Sequence, residues 1–563
     1  MKRDNTPIVG HLLTGAVQAR AQATDGYPRQ SDIDILRYSF HLTLNDTSDV
    51  IVGEARLTVQ VLASDVSEFT LDLIGKSGER SRAGFETGMV VTSVSEVGNQ
   101  GELNFEHTGD TIRVSLLPLP PGKGGTCAVL VRYHGIPADG LIISENKYGE
   151  RTFFGDNWPD RARHWLPVID HPYEKATCNF SVTAPNTYQV VANGRLIEET
   201  DLDDGTRLTC WYEDAPIPTK VMVIGVARFA VLHHPETGGP PIQTWVYPRD
   251  RTGGIGSFEV AGQVMDYFEE VIGPFAYEKL ANVQSRTRYG GMENAGAIFY
   301  HEGRGDPVSW SESLIVHEMA HQWFGDSASE ADWHHVWLSE GFATYLTSVY
   351  FEHFYGTDRF RQDMDGSRRR VLGYYYGDPD NPRRGSPHTD SPLVDTTIPI
   401  GNGLLSTNSY QKGGWVLHML RHELGDETWW QGIREYYRRY MDGNAFTRDF
   451  QMVMEEVAGR DLTGFFQQWV FRPGQPDFRG NWFFDPARGQ IFITLDQVPE
   501  DADPWQVPIE IGVVMEEGGD PVVHTFTVDE ASELFTIPCE ARPVSVTFDP
   551  NVWLLARVEF AER

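Results

Sequence analysis

From about Ser31 to Phe229, apolar and polar residues alternate between turn signals, as in YSFHLTLN, VIVGEARLTVQVLA, CAVLVRYHG, CNFSVTAP and YQVVANG. Successive side chains of a strand point to opposite faces, so this texture predicts a large, mainly antiparallel β domain. The Gly- and Pro-rich HHPETGGPP (233–241) reads as a linker. Beyond it the spacing becomes helical in SFEVAGQVMDYFEEVIG, LIVHEMAHQWFGD, WLSEGFATYLTSVYFEHFYG, GGWVLHMLRHELG and TRDFQMVMEEVAG. One stretch of this region, 374–403, is rich in Pro, Gly and Asp and reads as a long loop, functional or disordered. After FRPGQPDF (471–478) short alternating runs return in QIFITLDQV, PIEIGVVMEE, HTFTVD and PVSVTFDP, enough for a small β-sandwich. The expected fold is multidomain α+β. It has a leader or flexible segment at 1–30, a β-rich domain at 31–236, an α-rich catalytic domain at 237–472 and a β-sandwich at 473–563.

The length of 563 residues fits several cores, and 40% hydrophobic residues fit a folded globular protein. No apolar run approaches the roughly 20 residues of a membrane span. A formal charge of −33, with 80 acidic against 47 basic residues, argues against nucleic acid or an anionic membrane as partner. Only eight of the basic residues are Lys. The four cysteines (Cys127, Cys178, Cys210 and Cys539) are scattered, with no metal-type pair; the alternative is that Cys178 and Cys210 face each other on neighbouring strands, but all four are read as buried free thiols. The first 23 residues, MKRDNTPIVGHLLTGAVQARAQA, have a basic start, an apolar stretch and an Ala-x-Ala ending at Ala23. That resembles a secretory leader, although Asp4, Pro7 and His11 interrupt its apolar core.

LIVHEMAHQWFGD (314–326) carries the most chemistry. His317 and His321 are four apart, so on a helix they share a face and can bind one zinc ion. Glu318 is rotated by about 100° and can act on the metal's water without being a ligand. A catalytic zinc needs a third protein ligand. Glu340, eighteen residues beyond His321 in WLSEGFATY, stands on a second expected helix and completes a His, His, Glu set. The plain alternative is an amphipathic helix whose histidines make ordinary core contacts.

Four motifs occur in order: GGMEN (290–294), HEMAHQWFGD (317–326), WLSEGFATY (337–345) and SYQKGG (409–414). Together with NWPDRARHWLPVIDHPYEKA and WVFRPGQP, they resemble the aminopeptidase N family of zinc gluzincin aminopeptidases, over nearly the whole chain. The resemblance implies a thermolysin-like catalytic domain holding one zinc ion, and peptides with a free N-terminus as substrates. It implies that Gly290, Gly291, Met292, Glu293 and Asn294 form an exposed strand edge on which substrate pairs, with Met292 lining the pocket for the first residue. Glycines there would let a peptide backbone approach closely. Glu293 would hold the α-ammonium, which restricts cleavage to the first residue. Tyr410 would donate to the developing oxyanion, a contribution typically worth about 3 kcal/mol. At the position where the family has Gln or Glu assisting Glu293, this chain has Asp156, a shorter side chain. The family's large C-terminal helical domain finds no counterpart here, so a more open cleft is expected.

The resulting expectation is a zinc aminopeptidase in which Glu318 is the general base. The alternatives are an epoxide hydrolase sharing the site, a catalytically inactive binding scaffold, and an endopeptidase. Retention of His317, Glu318, His321, Glu340, Glu293 and Tyr410 argues against the scaffold, and Glu293 against the endopeptidase.

Overall fold

The computed structural model describes residues 23–563 apart from 78–79, 83, 99–100, 118–120, 236–238, 304–307, 374–389 and 500–502. The expected leader up to residue 22, the boundary at 236/237 and most of the expected long loop lie outside the described residues. The chain divides into two compact units. The first runs to Ser339 and adds Ile398–Leu404 and Ile433–Phe450; the second comprises Glu340–Thr397, Leu405–Gly432 and Gln451–Arg563. The division therefore falls inside the α-rich segment read from sequence, within the helix Trp337–Tyr355.

In the first unit the period-two segments form a seven-stranded sheet. Its order is Arg195–Asp201, Thr206–Pro218, Lys175–Pro185, Ile33–Thr43, Ile51–Val61, Thr126–Ile136 and Gly88–Glu96. All neighbours are antiparallel except Ile33–Thr43 with Lys175–Pro185. Burial alternates strictly along Lys175–Pro185, as its apolar residues require. The register sets Cys178 opposite Glu213 and Cys210 opposite Ser181, so the two thiols do not face each other; all four cysteines are free.

A five-stranded sheet follows, in the order Ala230–His233, Ile242–Val246, Leu280–Ser285, Ala297–His301 and Gly291–Met292. The last strand, from the GGMEN stretch, lies at the sheet's edge and pairs antiparallel with Ala297–His301, Gly291 opposite Tyr300 and Met292 opposite Phe299. The motif helix, Glu312–His321, begins where the Ser311 hydroxyl accepts the backbone N–H of Leu314, and Glu312 favours its first turn. Its path ends at Gly325, whose φ of +125° suits glycine alone.

In the second unit, Gly341 of the helix Trp337–Tyr355 lies against the start of the helix Gly413–Leu424. A Cβ on Gly341 would stand 2.9 Å from the Cα of Gly413. Just before that crossing, Asn408–Lys412 forms a single π-helical turn containing Tyr410. The C-terminal strands form a four-stranded sheet around Asp477–Asp485 and Gln490–Gln497 and a three-stranded sheet centred on Val507–Val514. Ring contacts Phe478–Phe548 and Phe526–Phe535 join the two sheets face to face, the sandwich expected from the alternation.

Two glycine substitutions should therefore have opposite signs. Gly341→Ala overpacks the crossing and is expected to destabilise by about 1–3 kcal/mol. Gly366→Ala lies in the helix Thr357–Val371 with nothing near the added Cβ, and should stabilise by about 0.5–1 kcal/mol. Calorimetric midpoints of the two variants check this, and shifts in the same direction would contradict it.

Candidate active site

The motif helix turns His317 and His321 toward one point. Their Nε2 atoms are 3.2 Å apart, with the rings nearly perpendicular. Two nitrogens bound tetrahedrally to one zinc ion at about 2.0–2.1 Å would be about 3.3 Å apart, so the pair has the required spacing. The tautomer of His321 is also set. Its Nδ1 lies 3.2 Å from the carbonyl oxygen of Phe324, which can only accept, so Nδ1 carries the proton and Nε2 offers a lone pair. The Ser339 hydroxyl lies 3.1 Å from the same Nδ1. Gly325 makes room for this, since a Cβ there would meet the Ser339 hydroxyl at 2.3 Å. Glu340 is the next residue after Ser339 on that helix. A donor set of two imidazoles and one carboxylate suits zinc.

Glu293, Glu318 and His321 offer ligand atoms that all lie within 4.8 Å of one another, and all three residues are buried. Glu318 reaches this position over the edge strand. A Cβ on Gly291 would lie 2.2 Å from its Oε1 and 2.4 Å from its Cδ, whereas one on Gly290 would meet only a methyl of Leu314 at 3.9 Å. Glycine at 291 is thus demanded by the glutamate of the motif helix, in addition to any need of a substrate backbone. Two buried carboxylates so close call for cations beside them.

The loop carrying Glu293 is fixed by residues that sequence reasoning did not single out. The buried amide of Gln322 donates through Nε2 to the Glu293 carbonyl at 2.6 Å and to Asp326 Oδ2 at 2.9 Å. Its Oε1 accepts from the Gly296 N–H at 2.8 Å. Lys279 Nζ donates to the Gly296 carbonyl at 2.8 Å, and Asn193 Nδ2 donates to the Ala295 carbonyl at 2.8 Å. Lys175 of the YEKA stretch donates to the carbonyls of Asp326 and Ser327 at 2.9 and 2.7 Å, anchoring the end of the motif. Nearby, Lys220 and Glu330 form a buried ion pair at 2.6 Å. Burial, and then the Glu293 charge, push the Asp326 carboxyl well above its usual range, which favours its protonated form. Gln322 gave one signal in the sequence, its place directly after His321, but a polar residue there has no periodicity to mark it as a tether.

The remaining expected site residues separate. Met292 is buried and backbone-paired with Phe299. Asn294 is buried, and its carbonyl accepts from the Ala297 N–H at 2.9 Å. Tyr410 donates its hydroxyl to Glu340 Oε1 at 2.8 Å. Asp156 is buried with both oxygens engaged: Oδ1 accepts from Arg161 Nη2 at 2.9 Å and Oδ2 from the Arg288 N–H at 3.1 Å. Burial pushes its carboxyl up, and Arg161 opposes that.

Two histidines and a glutamate on the motif helix, beside a further buried glutamate at the end of the edge strand, define a zinc-peptidase type of centre. The family model described as the peptidase family M1 domain matches residues 257–469, and that of the peptidase M1 N-terminal domain matches 36–221. The chain belongs to peptidase family M1, a family of zinc metallopeptidases. It is 26% identical over 383 residues to the human glutamyl aminopeptidase, covering 65% of this chain and 39% of that protein. It is 28% identical over 333 residues to the probable aminopeptidase 1 of Sulfurisphaera tokodaii, covering 56% and 41%. The chain thus spans well under half the length of these curated relatives. In fold it resembles Legionella pneumophila aminopeptidase A in complex with aspartic acid, with a TM-score of 0.77, 18% identity and coverage of 96% and 61%. It also resembles a variant M1 zinc metallopeptidase of Deinococcus radiodurans bound to a Tyr-Ser-Ala substrate, with a TM-score of 0.65, 22% identity and coverage of 79% and 95%. Among the described residues, no helix is long and apolar enough to cross a membrane.

Metal content follows from the donor set. Purified protein should carry one zinc ion per chain by atomic absorption. His321→Ala should lose it, and Glu318→Gln should retain it.

Proposed function

We propose that this protein is an aminopeptidase that removes the N-terminal residue of peptides. The observation that carries the reading is Glu293: a buried carboxylate at the end of an edge strand, within 4.8 Å of the ligand-bearing and proton-transfer groups His321 and Glu318. A carboxylate there matches the α-ammonium of a chain end and has no use for the interior of a peptide. The edge strand Gly291–Met292 offers unpaired backbone to an extended substrate. His317, His321 and Glu340 would hold zinc, which when bound lowers the pKa of water and polarises a carbonyl. Glu318 takes the proton of the attacking water and delivers it to the leaving amine. Gly291 keeps the Glu318 carboxylate seated for both transfers. Tyr410, once substrate competes with Glu340 for its hydroxyl, donates to the oxyanion. Asp156 acts on substrate indirectly, through the Arg288 backbone that leads into the GGMEN strand.

Glu318→Gln should lower turnover of aminoacyl reporter amides by on the order of 10²–10⁴-fold. Gly291→Ala, which must displace Glu318, should lose on the order of 10²-fold, while Gly290→Ala should change little. A Glu318→Gln enzyme as fast as wild type would contradict the mechanism.

For the exopeptidase reading, an N-acetylated peptide should resist cleavage while its free-amine twin is digested from its first residue. Equal digestion of both would overturn the role of Glu293. The reporter panel should include glutamyl and aspartyl amides, since one relative is named a glutamyl aminopeptidase and one solved relative holds aspartic acid.

A further inference from the structure

The segment from Thr24 to Gln30, just before the first strand, is held in place chiefly by side-chain bonds. The Thr24 N–H donates to Asp332 Oδ2 at 2.6 Å, and the Asp25 N–H donates to the same oxygen at 3.1 Å. The Thr24 hydroxyl lies 2.8 Å from His334 Nδ1. Asp25 accepts from the Trp333 N–H at 3.3 Å and from Arg29 Nη1 at 2.9 Å, and its Oδ2 lies 2.6 Å from His171 Nε2. Arg29 Nη2 reaches Asp332 Oδ2 at 3.5 Å and the Ala331 carbonyl at 3.1 Å. Tyr27 donates its hydroxyl to Asp72.

The charges in this cluster do not balance. The side chains of Asp25 and Asp332 are both completely buried. Among the described residues, the permanent cation bonded to them is Arg29, shared between the two. Burial holds the His171 imidazole below its ordinary pKa, which favours its neutral form. Buried carboxylates are normally paired one for one, because an uncompensated charge in the interior is strongly destabilising. Arg29 is thus the permanent cation for two buried carboxylates, with the His334 Nδ1 3.5 Å from Asp332 Oδ1, and the shortest contact to Asp332 Oδ2 is the backbone nitrogen of Thr24 at 2.6 Å. Within a continuous chain that nitrogen is a neutral amide with one donor. At a chain terminus it would be an ammonium. The three residues before it, Ala21, Gln22 and Ala23, form the small-x-small pattern that leader peptidases cut after.

We propose that the chain is cut between Ala23 and Thr24, and that the new α-ammonium of Thr24 is a fixed counter-ion of Asp332. The cut is a hydrolysis. Water's oxygen goes to the Ala23 carbonyl carbon as the C–N bond breaks, and both of its protons end on the Thr24 nitrogen, leaving a carboxylate on the upstream segment and an ammonium on Thr24. Thr24 lies at the surface, so a chain end fits there, while its nitrogen is directed at a buried carboxylate. The ammonium gives the cluster two cations for two carboxylates. It also pins the turn that follows. Asp332 Oδ1 accepts from the His334 N–H at 2.9 Å, and the 3-10 turn Trp333–His335 leads into the helix that starts at Trp337. The upstream segment then serves only until the cut, and the mature fold is completed by it.

The full chain should be produced in a host that exports it, and the purified protein examined by intact mass and N-terminal sequencing. Thr24 is expected as the first residue; retention of Ala23, or a cut elsewhere, overturns the proposal. The counter-ion role has its own readout. An α-amine reagent at neutral pH should label Thr24 at least about tenfold more slowly in the folded protein than after unfolding, since each unit of pKa rise lowers the free amine about tenfold. Equal labelling rates would overturn the ion pair even if the cut is found. Asp332→Asn should raise the labelling rate of the folded protein; if that variant does not fold, the wild-type comparison still decides. None of these outcomes bears on the aminopeptidase reading, which has its own tests.

Discussion

The Glu318 carboxylate lies on the backbone of Gly291 with no room for a side chain between them, and the candidate centre is built around that approach. The contact joins the motif helix to the edge strand of the five-stranded sheet. It holds the Glu318 carboxylate and the edge strand in one fixed relation. Any larger residue at 291 would separate them. The Gln322 amide, one residue past the second histidine, ties the other end of the loop to the same helix through the Glu293 carbonyl and the Gly296 N–H. The helix that carries the histidines therefore also positions the loop that bears Glu293.

This arrangement concentrates negative charge where little water can screen it. Glu293 and Glu318 lie within 4.8 Å of His321, and the Glu293 charge also bears on Asp326 and Glu330. The structure meets the cost in several ways. Lys220 neutralises Glu330, and burial favours a protonated Asp326. The carboxylates left in front match a metal ion and an ammonium group. The same economy governs the N-terminal cluster, where Asp25 and Asp332 share Arg29 and the geometry points to the chain's own terminus as the second cation.

Much of the fold was legible in the sequence because burial imposes a period. Strands such as Ile51–Val61 and helices such as Thr447–Ala458 fall where the alternation predicts them. The zinc motif was legible for a similar reason: two ligands four residues apart need only local helix geometry to share a face. The division into units was not legible, because it follows which segments pack together, and helix packing brings distant segments into one core. Asp156 shows a further limit. Its oxygens accept from Arg161 and from the Arg288 backbone, and local sequence identifies neither as its partner.

By itself, the sequence determined most of the element types, the absence of a paired-cysteine motif and the spacing that places two histidines and a glutamate on one helix. These depend on residue type and on spacing within one helix or strand. Only the tertiary structure decided why Gly291 must be glycine, which nitrogen of His321 bears its proton, and which side chains hold the Glu293 loop. It also decided that Thr24 faces Asp332. Each of these joins residues far apart in the chain, and such contacts exist only once the packing of the whole unit has set their distances.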